Sequence, residues 1–159
     1  MRIGADYIGA RIASMTTNGV WIRFENPAID GASTTPGHEK EIEVLSWGAA
    51  VAPDKQPRIV FTKYLDTATN AIMKMCWSGK QIGKAVLRCF RYDKGAPHEY
   101  LVITMEHVVI ENYSVSGGPG EIPVENVSLI YGTVHYDYRP QSGALGMMAT
   151  FKQADSKVL

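Results

Sequence analysis

Hydrophobic and polar residues alternate along most of this chain, in short runs separated by glycine, proline and polar residues. Alternation with a period of two predicts β-strands with one buried face. The runs that show it are Val20–Phe24, Glu41–Gly48, Ile59–Lys63, Lys84–Tyr92, Tyr100–Met105, Val108–Val115, Val124–Tyr131 and Thr133–Tyr138. The chain is therefore predicted to be mainly β.

One segment, roughly residues 67–78, instead has the period of an α-helix. Apolar residues recur there at i, i+3, i+4, i+7 and i+8, namely Ala68, Ala71, Ile72, Met75 and Cys76. This spacing forms a single apolar stripe, which predicts that one helix face packs against a sheet. Together the elements predict a two-sheet β-barrel of about eight strands with one α-helix on its flank.

The ends of this helix carry capping residues. Asp66 and Thr67 offer side-chain oxygens to the unpaired amides of the first turn. Gly79 suits the left-handed conformation that ends a helix. Lys74 and Lys80 are predicted to lie near the negative end of the helix dipole.

Several segments occur in a distinctive order and spacing. They are FTKYLD at Phe61–Asp66, CWSGK at Cys76–Lys80, EYLVITM at Glu99–Met105, the glycine-rich Ser116–Gly120 and VHYDYRPQ at Val134–Gln141. In this arrangement they resemble the Hcp family, the tube proteins of the bacterial type VI secretion system. The segment Glu41–Gly48 is similar to the second strand of that family. The resemblance extends roughly from Gly19 to Gln141.

The resemblance implies an assembly. In the Hcp family six subunits form a ring, and stacked rings form a tube that a contractile sheath propels and a spike protein caps. We therefore expect a homohexamer that works with the sheath, spike and baseplate and binds small effector proteins in its lumen. The resemblance implies that Ser46 and Gly48 face the lumen. The alternative is that they are an ordinary sheet residue and a turn entry.

The chain departs from the family pattern at two places. Many members carry a long glycine-rich excursion where this chain has the short Ala49–Arg58, stiffened by Pro53 and Pro57. The resemblance therefore does not determine how strongly, or in what geometry, the rings stack. The segment Ala149–Lys152 replaces a closing strand that usually carries tryptophan.

The length of 159 residues predicts one domain. We assign the barrel to residues 19–159. Residues 1–18 precede the first convincing strand and have no counterpart in the family. Two interpretations remain open for them: either Met15 is the native start, or the segment is a short arm, disordered or ordered by a partner.

Charge and composition exclude some functions. The chain has 16 basic and 16 acidic residues, without the basic excess that is usual in nucleic-acid-binding proteins. A net charge near zero also permits self-association. No run of about 18 apolar residues predicts membrane insertion, and the N-terminus does not resemble a cleaved signal peptide. We expect assembly in the bacterial cytoplasm followed by secretion through the type VI apparatus.

The two cysteines and Trp77 are predicted to have structural roles. Cys76 lies on the apolar stripe of the helix and Cys89 lies in an alternating strand. Both are expected to be reduced, small hydrophobic residues rather than a metal or redox pair. Trp77, at the helix end, is predicted to be a packing anchor rather than a recognition residue.

No motif predicts catalysis, a cofactor or a metal. Gly117–Gly120 lacks the lysine and the following helix of a phosphate-binding loop. His38 and His98 lack the second histidine of a zinc pair, and His98 is expected to be solvated. His107 and His135 occupy strand positions far apart in the sequence. The chain is therefore predicted not to be an enzyme.

Three other functions remain alternatives. A tail-tube protein of a related phage-like contractile particle would share the fold, and the run Phe61–Asp66 favours the secretion family over it. A monomeric barrel that binds a small molecule would need an apolar cavity in its interior. A hydrolase is the third alternative, with no residue identified for it.

Overall fold

The computed structural model describes residues 18–93, 96–140 and 147–152. These residues form nine strands and the helix α1, Thr69–Ser78. The strands are β1 Asn18–Glu25, β2 Ile42–Glu43, β3 Ser46–Ala50, β4 Arg58–Tyr64, β5 Ile82–Asp93, β6 Ala96–Ser116, β7 Val124–Ile130, β8 Thr133–Tyr138 and β9 Met147–Lys152. The predicted mainly β class with one helix is confirmed.

The strands form two antiparallel sheets joined through β6. In sheet A the order is β2-β1-β5-β6-β8-β9. In sheet B the order is β3-β4-β7-β6. The first part of β6 pairs with β5 and β8, whereas Val109–Ser116 pairs with β7. The predicted two-sheet barrel is therefore present, with β6 contributing to both sheets.

The strands predicted at Tyr100–Met105 and Val108–Val115 are one continuous strand, β6. Its backbone bends at His107, which has a positive φ of 55°. The amide of Gly132 donates to the carbonyls of Glu106 at 3.0 Å and His107 at 3.2 Å. The separation into two strands was wrong because the strand continues through this bend as it passes from sheet A to sheet B.

The segment Glu41–Gly48, predicted as one strand, divides between the two sheets. Its first part is β2, which pairs with β1, and its second part is β3, which pairs with β4. The Val44 amide donates to Val20 O at 2.9 Å, and the adjacent Leu45 amide donates to Thr62 O at 2.8 Å. Neighbouring residues thus bond to different sheets, which an alternating pattern cannot reveal.

The hydrophobic core lies between the sheets, as the alternating patterns predicted. Sheet A contributes Ile22, Leu87 and Ile103, and sheet B contributes Leu129, all fully buried. Helix α1 adds Ile72, which is also fully buried. Burial of apolar surface of this extent is the dominant favourable term in folding.

Helix α1 begins at Thr69, two residues after the predicted start. Asp66 Oδ1 accepts from the Ala68 amide at 2.9 Å, so the predicted capping role of Asp66 is confirmed. In return, Thr69 Oγ1 accepts from the Asp66 amide at 3.0 Å. The hydroxyl of Thr67 instead donates to Asp30 O at 3.3 Å, so its predicted capping role was wrong.

The helix ends at Gly79, as predicted. Gly79 has a φ of 67°, and its amide donates to Met75 O at 3.0 Å and to Cys76 O at 3.3 Å. No basic residue lies in the last turn of the helix: Lys74 precedes that turn, and Lys80 directly follows the C-cap Gly79. No helix in the described ranges is long and apolar enough to cross a bilayer.

Trp77 does not anchor the helix. Its side chain is 95% exposed, whereas the predicted stripe residues Met75 and Cys76 pack against the core. Trp77 follows the stripe by one position and therefore projects from a different face of the helix. The packing role predicted for it was wrong. Cys76 is only partly buried, whereas Cys89 is fully buried.

Candidate functional site

The outer face of sheet B carries rows of small, uncharged side chains. One row crosses all four strands, because Ser46 pairs with Thr62, Thr62 with Asn126, and Asn126 with Ser114. Ser46 and Asn126 are exposed and Thr62 is half-buried. The hydroxyls of Ser46 and Thr62 lie 2.6 Å apart and share a hydrogen bond. This row offers hydroxyl and amide groups to solvent.

A second row runs beside the first. Gly48 pairs with Val60, Val60 with Ser128, and Ser128 with Asn112. Val60 is 44% exposed. A Cβ atom at Gly48 would lie 3.7 Å from Val60 Cγ2, so a side chain there would partly cover the valine. Gly48 therefore leaves this part of the face without a protruding side chain and keeps Val60 accessible.

The two rows enclose a shallow depression of about 220 Å³. Its lining residues are Ser46, Trp47, Gly48, Val60, Phe61, Thr62 and Asn126. None of these side chains is ionisable, so the depression offers hydrogen bonds and one apolar wall rather than charge. A reactive centre would need nucleophiles, acids or bases within reach of one another, and these lining residues do not provide them.

Charge on this face occurs as a pair. Arg58 Nη2 lies 3.1 Å from Glu111 Oε1, and the Ser128 hydroxyl donates to Glu111 Oε2 at 3.2 Å. Both partners are substantially exposed, so the pair contributes little to stability. Because the two charges cancel, this part of the face carries no strong field of one sign.

Both edges of sheet B are unpaired within the described residues. At one edge, β3 pairs only with β4. At the other, Val109–Ser116 of β6 pairs with β7 on one side and has no described strand on its other side. Unpaired strand edges present backbone donors and acceptors that can pair with another chain.

The structure places the predicted residues Ser46 and Gly48 on the same outer face, two positions apart on β3. Their neighbours Val60, Thr62 and Asn126 were missed by the sequence analysis. Thr62 and Val60 alternate along a predicted strand, which was a signal for a shared face. The position of Asn126 depends on the register between β4 and β7, and no local pattern encodes that register.

The opposite face of sheet B carries a buried polar cluster. The side chains of Lys63 and Glu125 are both fully buried and form an ion pair. Lys63 Nζ also lies 2.8 Å from Asp66 Oδ1. Glu125 accepts further hydrogen bonds from the hydroxyls of Thr69, at 3.0 Å, and Tyr113. Burial and the neighbouring Glu125 raise the pKa of Tyr113, so its hydroxyl stays protonated.

This cluster fixes the entry to helix α1, since Lys63 lies near the end of β4, Asp66 caps the helix and Thr69 begins it. The Lys63 ammonium also donates to Tyr64 O at 3.0 Å. Buried charges are tolerated when they are paired and hydrogen-bonded in this way. We therefore assign the cluster a structural role.

His38 is part of a second buried arrangement, on the outer side of sheet A. Its ring stacks on Trp21 with centroids 3.9 Å apart and planes 5° apart. Its Nδ1 lies 2.9 Å from Glu41 Oε1. Glu41 Oε1 is also 3.6 Å from Arg88 Nη1, and Arg88 Nε donates to Glu99 at 2.7 Å. The histidine thereby holds the loop before β2 against the sheet.

The other histidines have separate surroundings. His98 Nε2 lies 2.9 Å from Arg139 O in a solvent-exposed contact. His135 contacts the Thr150 hydroxyl, and His107 packs near Gly132. Within the described part of the chain, no three His, Cys, Asp or Glu residues are arranged to hold a metal ion.

Comparisons with known proteins agree with this architecture. Residues 15–138 match a family model described as "Type VI secretion system effector, Hcp". A protein of Pseudomonas aeruginosa named "Protein hcp1" is 32% identical over 128 residues, covering 71% of this chain and 79% of that protein.

Solved structures show the same similarity. The crystal structure of Hcp1 from Salmonella typhimurium has a TM-score of 0.78 at 30% identity, covering 87% of this chain and 96% of that one. A type VI secretion system effector from Yersinia pestis has a TM-score of 0.73 at 26% identity, covering 84% and 98% of the two chains.

Proposed function

Because the chain belongs to the Hcp family of type VI secretion proteins, we propose that it is a subunit of the inner tube of that system. In this proposal the subunits form homohexameric rings, which stack inside the contractile sheath and are secreted together with the spike. The observation that carries the proposal is a four-stranded sheet whose two edges are unpaired within the described residues and whose outer face carries rows of small, uncharged side chains.

The sheet edges support ring formation. Strand β3 and the segment Val109–Ser116 lie at opposite edges of the same sheet. Pairing of one edge with the other edge of the next subunit is a heterologous contact, and such contacts close into a ring when the rotation permits. Six copies would then join their four-stranded sheets into one continuous inner wall.

The outer face of sheet B suits the lumen of such a ring. Ser46, Gly48 and Asn126 present short side chains, or none, which would leave the bore open. Six copies of the depression around Val60 would surround a cargo protein, and weak contacts repeated in this way give substantial avidity. Binding would also stabilise a small effector by mass action.

The core weighs against a monomeric small-molecule-binding barrel. Ile22, Leu87, Ile103 and Leu129 fill the space between the sheets and are fully buried. The depression lined by Gly48 lies on the outside of sheet B, where a monomer would leave it open to solvent.

The assembly is tested by light scattering and negative-stain microscopy on the purified full chain. We expect a particle with six times the mass of the 17.5 kDa chain and an annular shape. Each interface between neighbours should bury about 1,200–2,000 Å². A monomer at high micromolar concentration, with no annular particles, would refute the ring.

A large side chain introduced on the proposed inner face tests which face of the subunit lines the lumen. Ser46→Trp should add density inside the ring, because Ser46 is exposed on the outer face of sheet B. The matched control Lys74→Trp, at an exposed position of helix α1, should add density on the outside. The reverse pattern in class averages would show that another face lines the bore.

A further inference from the structure

The loop between β1 and β2 folds into a small hairpin on the outer side of sheet A. The Gly31 amide donates to Lys40 O at 2.7 Å, and the Lys40 amide donates in return to Ser33 O at 2.9 Å. The Ser33 amide donates to Glu41 O at 3.2 Å. We call residues 31–41 the flap. These backbone bonds hold its two arms to each other but do not attach its tip to the sheet.

One side chain attaches the tip of the flap to sheet A. Between residues 32 and 40, His38 is the only buried residue, with 8% of its surface exposed. Its ring stacks on Trp21 with centroids 3.9 Å apart and meets the ring of Phe90 edge-on at 4.6 Å. The contact that closes the flap is therefore made by a side chain whose ordinary titration lies close to neutral pH.

The flap covers an aromatic surface. Trp21 is only 2% exposed, because His38 stacks on its ring and Phe90 packs against the ring edge. A Cβ atom at Gly19 would collide with the same ring, so the glycine leaves the space that the indole occupies. Opening of the flap would expose Trp21 and Phe90 to solvent.

The polar partner of His38 is a buried carboxylate. Glu41 is 4% exposed, and its Oε1 lies 2.9 Å from His38 Nδ1 and 3.6 Å from Arg88 Nη1. Within the described part of the chain, Glu41 Oε2 accepts no hydrogen bond. The negative charge of Glu41 is therefore compensated at Oε1 alone, by the histidine and by the more distant guanidinium group.

That guanidinium group is shared with a second carboxylate. Arg88 Nε donates to Glu99 Oε2 at 2.7 Å, a shorter contact than the one to Glu41. Arg139 then lies 2.8 Å from Glu99 and 2.8 Å from Asp137. Three carboxylates thus alternate with two guanidinium groups along this row. A protonated imidazole at the end of the row supplies the third positive charge.

The other charges beside the flap do not reverse this balance. Glu43 of β2 pairs with Trp21 and adds a further carboxylate to the same face of the sheet. Glu39 and Lys40 flank His38 in the sequence, have opposite charges and are both exposed. Solvent screens exposed charges of this kind, so they contribute little. The surroundings of His38 therefore favour its protonated form in the closed flap.

We propose that the flap is a pH-sensitive element, which closes over Trp21 when His38 is protonated and loosens when His38 loses that proton. A protonated ring makes a charge-assisted hydrogen bond with Glu41, which is roughly twice as strong as a neutral one. The face of the indole ring also attracts a positive charge stacked on it. This stabilisation is present at low pH and is lost as pH rises through the titration of the histidine. Every contact named lies within one subunit, so the flap operates with or without the proposed ring.

Hydrogen exchange on the full chain tests the flap. A two-armed hairpin released from its sheet is marginally stable in water, so the amides of Gly31, Ser33 and Lys40 report its opening. After correction for the intrinsic effect of pH on exchange, the peptide covering residues 31–41 should exchange about fivefold faster at about pH 8 than at about pH 5.5. Peptides from β5 should show no such change. Flap protection that is independent of pH, or that increases with pH, would overturn the proposal.

Two variants assign the response to the contact between His38 and Glu41. His38→Phe keeps an aromatic ring against Trp21 but cannot titrate, so its flap should exchange at the same corrected rate at both pH values. Glu41→Gln removes the charged partner and should lose most of the pH dependence. The control His135→Gln changes a histidine of the same sheet that contacts Thr150, and it should keep the original response. Protection of β5 confirms that each variant is folded. An unchanged response in His38→Phe or in Glu41→Gln would overturn the proposal.

Discussion

Replacing Lys63 by methionine should destabilise the subunit strongly. Lys63 and Glu125 are fully buried and paired with each other. Lys63→Met keeps the length of the side chain but leaves the Glu125 carboxylate with two hydroxyl donors, from Thr69 and Tyr113. An uncompensated buried charge of this kind typically costs about 3–5 kcal/mol. We expect a loss of free energy of unfolding in that range.

Two further variants separate the buried charge from other effects. Lys63→Met/Glu125→Gln removes both charges of the fully buried pair and should recover a large part of the loss; Asp66, which is 13% exposed and also accepts from the Ala68 amide, still loses its Lys63 partner. Arg58→Met breaks an ion pair on the same strand in which Arg58 and Glu111 are 45% and 36% exposed. That variant should cost about 0–1 kcal/mol.

Urea unfolding followed by tryptophan fluorescence measures these differences. All variants must be compared at one subunit concentration with their mass checked, because assembly itself stabilises the folded state. A loss of about 3–5 kcal/mol lowers the urea midpoint by about 1–3 M at ordinary slopes. If Lys63→Met costs no more than Arg58→Met, or if the double variant is no better than the single, the burial reasoning is wrong.

Two other residues give further predictions. Trp77→Ala should change the free energy of unfolding by no more than about 0.5 kcal/mol, measured by urea unfolding, because the side chain is 95% exposed. Burial raises the pKa of the Cys89 thiol from 9.0 to about 11. Since the unfolded chain then loses this proton at a lower pH than the folded chain, stability should fall as pH rises from about 9 to 11. Cys89→Ala should remove that part of the decline, as judged by urea midpoints at pH 8 and pH 10, whereas Cys76→Ala should not.

The features predicted best from the sequence are local. Helix α1 was predicted to within two residues at its start, because apolar spacing, the Asp66 cap and Gly79 are encoded within one short segment. The buried faces of strands also follow from alternation, as the complete burial of Leu87 and Cys89 shows. These properties depend on the period of side chains along one element and not on its partners.

The features predicted wrongly depend on distant pairing. Nothing within Glu41–Gly48 indicates that Val44 bonds to β1 while Leu45 bonds to β4. The continuity of β6 through His107 likewise depends on Gly132, which donates to it from a turn between two other strands. Hydrophobic and polar residues alternate on both sides of the point where a strand passes from one sheet to the other. The two-residue period therefore does not reveal where that point lies.

The candidate site combines features that can be predicted locally with features that depend on distant strand pairing. Ser46 and Gly48 were identified through resemblance to a family, and the structure places them on one exposed face. Asn126 joins them through two successive register relations, from β3 to β4 and from β4 to β7. A face assembled from several strands cannot be derived from the residues of any one of them.

The run Phe61–Asp66 contains residues that cannot change independently of the rest of the protein, whereas the loop at residues 51–57 can. Lys63 and Asp66 belong to the buried cluster completed by Glu125, which lies 62 residues after Lys63 in the sequence. A change at one member leaves a buried charge without its partner, so these residues are constrained as a set. The loop at residues 51–57 carries no comparable constraint, because an exposed loop can change in length at small cost to the core. Variation should therefore accumulate in exposed loops of this kind rather than in the buried cluster.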